Sequence, residues 1–175
     1  MCTKGLSITK WICLSGCERT LLHRCNFILK LSSGLVYLMN HSALIETFDR
    51  ADVAINQFER VLLAGELPPL EPLVRESMSL VKGMIVAYIR DVGETEPPAE
   101  QDDLLESFKI LVKGDPSWNT IRDNCRELVF YQNCLLMDRQ DALPVKPEAM
   151  AVRTVRHVYL FMRSRAEREN RLEMV

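Results

Sequence analysis

The chain has 175 residues, of which 47% are apolar and 26% are charged. These fractions are those of an ordinary folded protein and exclude wholesale disorder, and the length favours one compact domain with its own core. The formal net charge of −2 argues against a protein that binds nucleic acid mainly by neutralising phosphates.

Residues 1–38 differ in composition from the rest of the chain. They carry five Lys or Arg residues against one acid, Glu18, and four of the six cysteines. We therefore predict a basic, cysteine-rich extension at the periphery of a helical body that spans residues 39–175. In one interpretation Met39 is the natural start, and the extension is not part of the native protein.

More specific interpretations of the extension have weak support. Residues 14–17 have the small-residue form of a lipoprotein cleavage site, but Lys10 leaves too short an apolar stretch before it. A zinc site would lack the paired C-x2-C spacing that identifies such sites. The apolar segment 21–38 is interrupted by polar and charged residues, so we predict no transmembrane helix. The candidate zinc ligands are Cys13, Cys17, His23 and Cys25.

The first predicted helix runs from about Ser42 to residue 63. Its apolar residues follow alternating steps of four and three, so they form one narrow stripe along the helix. Ser42 is the expected N-cap, because its hydroxyl can accept from an amide left unpaired at the helix start. Gly65, Pro68 and Pro69 end the helix. The stripe comprises Leu44, Phe48, Ala51, Ile55, Phe58 and Leu62.

The second predicted helix covers residues 71–91. Its wider apolar stripe predicts contacts with more than one neighbour and a central place in the bundle. Gly93 follows the helix. The link 94–100 contains Pro97 and Pro98, which cannot continue a helix, and is predicted to be a surface loop.

A third helix is predicted at residues 101–113 and a fourth at 116–140. Asp115 is placed to cap the fourth helix, with Pro116 at the first position, where a missing N–H costs nothing. Gln132 is the one polar residue on the stripe of this helix, and we interpret it as a core amide that sets packing register. The stripe comprises Trp118, Ile121, Cys125, Leu128, Gln132 and Leu135.

The last helix is predicted to run from Pro147 to about Glu173. The two remaining cysteines, Cys125 and Cys134, fall on opposite faces of the fourth helix, so they cannot bond to each other. We interpret them as small buried apolar residues. Because nothing indicates a secreted disulfide scaffold, the cytoplasm is the expected location.

Positive charge is concentrated on the last helix of an otherwise acidic body. This helix is a candidate docking surface for an acidic partner protein or for RNA phosphates. Glu167, Glu169 and Glu173 dilute the charge, so a solvated helix face with internal ion pairs is the alternative. The candidate partner-binding residues are Arg153, Arg156, His157, Arg163, Arg165 and Arg168.

An enzymatic interpretation has little support in the sequence. Helical nucleases of the HEPN type place an arginine and a histidine along one helix, but Arg153 and His157 are separated by fewer residues than that pattern requires. Asp49, Asp52, Asn56 and Glu59 on the first helix could be metal ligands, but a di-iron bundle needs Glu-x-x-His pairs on facing helices, and the sequence has none. We therefore name no catalytic residue, no metal site and no cofactor.

A third interpretation is a small-ligand pocket inside the bundle. Methionine and aromatic residues at helical spacing could line it, although such residues are typical of an ordinary core. The candidate lining residues are Met78, Met84, Tyr88, Tyr131 and Tyr159.

These patterns together predict an all-α antiparallel bundle of about five helices. The leading functional hypothesis is a non-catalytic adaptor, assembly factor or regulatory subunit that binds another protein. An RNA-binding or RNA-processing helical domain is the first alternative, small-ligand binding is the second, and no membrane partner is expected. If the apolar stripe of the first or fourth helix stays exposed, the chain is expected to form a homodimer.

Overall fold

The computed structural model describes the backbone of residues 18–173 and the side chains of residues 38–173. The chain divides into two compact units, Met1–Val36 and Tyr37–Val175, and the helical body is the second. The zinc and lipidation hypotheses for the N-terminal extension concern side chains outside the described residues.

The described part of the chain is built from α-helices and two short 3₁₀ segments, without a β-strand. The prediction of an all-α fold with about five helices is confirmed. The 3₁₀ segments, Pro116–Ile121 and Gln140–Ala142, flank the fourth helix. The helices are α1 (Glu18–Leu63), α2 (Leu70–Val92), α3 (Leu104–Gly114), α4 (Arg122–Leu136) and α5 (Pro147–Arg168).

The first helix begins well before the predicted start. Ser42 lies inside α1 with its side chain exposed, so the prediction that it is an N-cap is wrong. The polar residues just before it have tertiary partners instead of marking a boundary: the Asn40 amide donates to the Arg90 carbonyl at 3.2 Å, and His41 is buried. A capping residue is compatible with a helix interior when the preceding residues also take the helical conformation.

The core lies between α2 and the helices around it. Val74, Val81, Met84 and Ile85 of α2 are buried, and α2 contacts α3, α4 and α5, as its wide apolar stripe predicted. The narrow stripe of α1 is buried through Ile55, beyond which Phe58 and Leu62 are only half-buried. Gln132 on α4 is also half-buried, so it is not the fully enclosed amide that its position suggested.

Helix ends follow two kinds of signal. Asp103 and Asp115 begin α3 and the first 3₁₀ segment, because each carboxylate accepts a backbone N–H that has no partner within the helix. Gly93 ends α2 in the left-handed conformation, as predicted. In contrast, α4 and α5 end earlier than predicted, where Asp138 and Asn170 take positive φ angles of 53° and 55°.

Two further sequence predictions concern the cysteines of α4 and transmembrane helices. Cys125 and Cys134 are buried free thiols, as predicted. No helix in the described part of the chain combines the length and apolarity needed to cross a bilayer.

Candidate interaction surfaces

Three of the five predicted docking arginines of α5, Arg156, Arg163 and Arg165, have acidic partners within the same chain. Arg156 donates from Nε to Glu59 at 2.8 Å and from Nη1 to Asp52 at 3.0 Å. It also donates to Asn56, so one guanidinium joins α5 to three side chains of α1. Asp52 and Glu59 were candidate metal ligands in the sequence, and in the structure they hold the Arg156 cation.

Arg163 and Arg165 are paired as well. Arg163 donates to Glu167 at 2.9 Å and to the Tyr159 hydroxyl. Arg165 donates to Glu169 at 2.9 Å and to Asp115, and its guanidinium carbon lies 4.3 Å from the ring centroid of Trp118. Both guanidinium groups are therefore engaged by acidic and aromatic side chains of the same chain.

A polar network fixes the residues that follow α5. Arg171 donates to Asp91 and to Glu169, at 2.9 and 2.8 Å. The Asp91 carboxylate is fully buried, and His41 Nδ1 lies 3.3 Å from its second oxygen. His41 Nε2 donates to the Glu173 carbonyl oxygen at 2.8 Å. The network therefore joins α1, α2 and the C-terminal segment around one buried anion.

The same end of the bundle has a cleft of about 200 Å³ lined by Tyr88, Trp118, Arg165 and Arg171, among others. The Ser117 backbone N–H, followed by Arg165, lowers the pKa of Asp115 to about 2. Burial and the neighbouring carboxylate raise the pKa of the Tyr88 hydroxyl above its usual range. Charges that are already paired in this way favour a structural role for the cleft.

The other predicted residues of α5 face solvent. Arg153, His157 and Arg168 are exposed, whereas Arg156, Arg163 and Arg165 are partly buried in the contacts above. The six predicted residues therefore belong to two different environments. That they bind a partner stays a prediction.

A different groove combines apolar and basic side chains. It lies between α3 and the region where the first 3₁₀ segment meets α4, and its volume is about 330 Å³. Leu105, Phe108 and Val112 of α3 form its apolar floor; Phe108 is buried and the other two are half-buried. We call it the basic groove; its other lining residues are Lys109, Lys113, Asn119, Arg122 and Arg126.

The two arginines of the basic groove are only loosely paired with acids. Arg122 and Arg126 lie 3.6 and 3.8 Å from the exposed carboxylate of Asp123, distances at which an exposed pair contributes little. Lys109 pairs more closely with Glu106, at 2.5 Å. Neither acid lines the groove, so the lining residues that the structure describes are basic, apolar or amide side chains without a carboxylate.

The spacing of basic residues on α3 and α4 indicates this groove, whereas the charge on α5 does not. Lys109 and Lys113 are four residues apart, as are Arg122 and Arg126, so each pair projects from one side of its helix. Gly114 and Asp115 make the turn that brings the two pairs together. Only the fold places these pairs on either side of one apolar strip.

A second groove has an acidic lining, and we call it the acidic groove. It is formed by the start of α2, the end of α4 and the link before α5, with a volume of about 720 Å³. Glu71 and Glu148 are its charged lining residues. Its other lining residues are Pro69, Leu70, Pro72, Leu135, Gln140, Leu143, Pro144 and Pro147.

The sequence also suggested two alternatives, a metal site and a small-ligand pocket inside the bundle. Among the described residues, no group of three or more His, Cys, Asp or Glu is arranged to hold a metal ion. Of the candidate ligand-lining residues, Met84, Tyr131 and Tyr159 are buried in the packed core and Met78 is half-buried, whereas Tyr88 lines the cleft near Arg165.

Comparison with protein-family models, with curated proteins and with solved structures finds no match for this chain. Functional proposals therefore depend on the geometry of its own surfaces.

Proposed function

We propose that this chain is a non-catalytic protein-interaction module whose basic groove binds an acidic amphipathic segment of a partner protein. One observation carries the proposal: an apolar floor of Leu105, Phe108 and Val112 is bordered by cations from both α3 and α4. Apolar side chains of the partner would fill the floor, and its carboxylates would lie against the cations.

The dimensions suit a short helix. The eleven residues of α3 span about 16 Å at the usual rise of ~1.5 Å per residue. A partner helix of about three turns matches that length, with apolar residues three and four positions apart along one face. Positive lining would also speed association with an acidic partner, since opposite charges steer the encounter.

The chemistry of the groove favours binding over catalysis. Among the described residues, its lining contains no histidine, carboxylate, serine or cysteine that could act as a base or nucleophile. A reducing compartment such as the cytoplasm agrees with the two buried free thiols of α4.

RNA is the alternative occupant, because Lys and Arg side chains also bind phosphates. An apolar floor favours a peptide, since phosphate contacts gain nothing from Leu105 or Val112. A stacked base would need an exposed aromatic surface, whereas Phe108, the aromatic residue of the floor, is only 5% exposed.

Fluorescence anisotropy with defined probes tests the proposal. The probes are a labelled helical peptide with leucines on one face and glutamates beside them, a peptide of the same composition in scrambled order, and single-stranded RNA. The proposal expects binding of the first peptide and much weaker binding of the scrambled one. Equal binding of both peptides, or binding of RNA alone, would overturn it. Val112→Thr adds a hydroxyl to the floor at nearly constant volume and should weaken the peptide but leave any RNA binding unchanged.

A further inference from the structure

Exposed apolar side chains are concentrated in the segments that join the helices at one end of the bundle. Val145 is 97% exposed and Leu63 is 86% exposed, although both are large and apolar. Leu67, Leu136 and Met137 are also exposed in these segments. Monomeric proteins rarely expose clustered apolar residues of this size without an interaction to cover them.

The acidic groove described above lies among these segments. Leu135, which lines the groove, directly precedes the exposed Leu136 and Met137, and Pro69 and Leu70 of the lining follow Leu67 in the chain. Pro144 and Pro147 also line the groove and enclose the exposed pair Val145 and Lys146. A protruding apolar residue and an apolar recess are therefore neighbours on one surface.

The charges at this surface are complementary to each other. Among the described residues, the groove lining has the carboxylates of Glu71 and Glu148 and no basic side chain. Arg75, outside the lining, lies 3.7 Å from Glu71, and both side chains are exposed. The adjacent protrusion presents an ammonium group, that of the exposed Lys146. The prolines on both sides restrict the backbone of the protrusion, so little conformational entropy would be lost when it binds.

We propose that two copies of this chain associate through this end, each inserting Val145 and Lys146 into the acidic groove of the other. A two-fold arrangement requires one surface that carries both halves of the contact, and here the recess and the protrusion are adjacent. Val145 would contact Leu70, Leu135 or Leu143 of the second copy. Lys146 would pair with Glu148, because Glu71 already lies 3.7 Å from Arg75 of its own chain. None of these residues lines the basic groove, so this proposal stands apart from partner binding.

Sedimentation velocity of the full chain over a range of concentrations tests the proposal. The proposal expects a monomer–dimer equilibrium in the wild type. For Val145→Glu it expects a dimer dissociation constant at least tenfold higher. The matched control is Val53→Glu, since Val53 is also exposed, at 67%, but lies on α1 away from the groove lining. A monomer at every concentration, or a dimer that survives Val145→Glu, would overturn the proposal.

A charge-exchange experiment tests the reciprocal pairing. Lys146→Glu and Glu148→Lys should each weaken self-association at least tenfold, because each places like charges together at both symmetric contacts. Mixing the two variants should restore a dimer, because each contact then joins opposite charges. Thermal melts establish that both variants are folded. A mixture that associates no better than either variant alone would contradict the pairing of Lys146 with Glu148.

Discussion

Arg171 Nη1 donates to Oδ2 of Asp91 at 2.9 Å, which ties the segment after α5 to the fully buried carboxylate of α2. Removing the guanidinium would leave Asp91 with His41 as its remaining described ionisable partner. A buried charge that loses a partner is costly, because water cannot replace the lost interaction.

We therefore expect Arg171→Ala to lower the free energy of unfolding by about 2–3 kcal/mol, measured by urea denaturation followed by circular dichroism. Arg168→Ala is the control, since Arg168 is the exposed last residue of α5, three positions before Arg171, and its loss should cost less than about 0.5 kcal/mol. Equal losses in the two variants would show that the Asp91 contact contributes nothing specific.

The Arg156 contact with α1 depends on the shape of the guanidinium group. Lysine keeps the charge, but its three N–H donors and compact ammonium group cannot reproduce the four hydrogen bonds that the planar guanidinium makes to Asp52, Asn56 and Glu59. Arg156→Lys should therefore lower the free energy of unfolding by about 1–2 kcal/mol, whereas Arg153→Lys at an exposed position of α5 should change it by less than about 0.5 kcal/mol. An Arg156→Lys protein as stable as the wild type would exclude this contact as a determinant of packing between α1 and α5.

The charge on Asp115 predicts a pH dependence of stability. Its pKa in the folded protein is lowered to about 2 by the Ser117 N–H and Arg165, compared with ~3.9 for an unfolded aspartate. The stabilising contribution of the carboxylate is thus complete above about pH 4 and is lost as the pH falls towards 2.

Asp115→Asn tests this dependence because asparagine can still cap the 3₁₀ segment but has no charge. The difference in melting temperature between wild type and variant should be largest above about pH 4 and should shrink towards pH 2. Other carboxylates titrate in both proteins, so the difference isolates Asp115. A difference that does not change with pH would contradict a lowered pKa of Asp115 in the folded protein.

Cys125 provides a test of core packing in α4. The thiol is fully buried, and burial raises its pKa to about 12, so thiolate is scarce at neutral pH. Iodoacetamide should leave Cys125 unmodified in the native protein and alkylate it in denaturant, as measured by peptide mass spectrometry. Rapid native alkylation at this residue would contradict the packing described here.

Helix positions could be predicted where the sequence signal is local. Gly93 and the pair Asp115 and Pro116 mark boundaries correctly, because glycine supplies the left-handed residue and aspartate caps an amide. The ends of α4 and α5 could not be predicted in the same way. Asp138 and Asn170 take left-handed conformations there, but in most positions these residue types do not.

The candidate site was harder to predict than the fold. Charge along one helix indicated the arginines of α5, but Arg156 and Arg165 are neutralised by acids far away in the chain, such as Asp52 and Asp115. Pairing over such distances depends on the tertiary arrangement and has no local signature. The basic groove also has no local signature, because Lys113 and Arg126 line one groove only when α3 and α4 pack together.

Binding of an acidic amphipathic peptide to charge-reversed variants is the most direct test of the proposed function. Lys113→Glu and Arg126→Glu should each weaken the affinity about tenfold in anisotropy titrations at fixed salt. Arg153→Glu makes the same change in net charge outside the groove and should leave the affinity within about twofold of the wild type. Equal weakening by all three variants, or a greater effect of Arg153→Glu, would contradict binding in the basic groove.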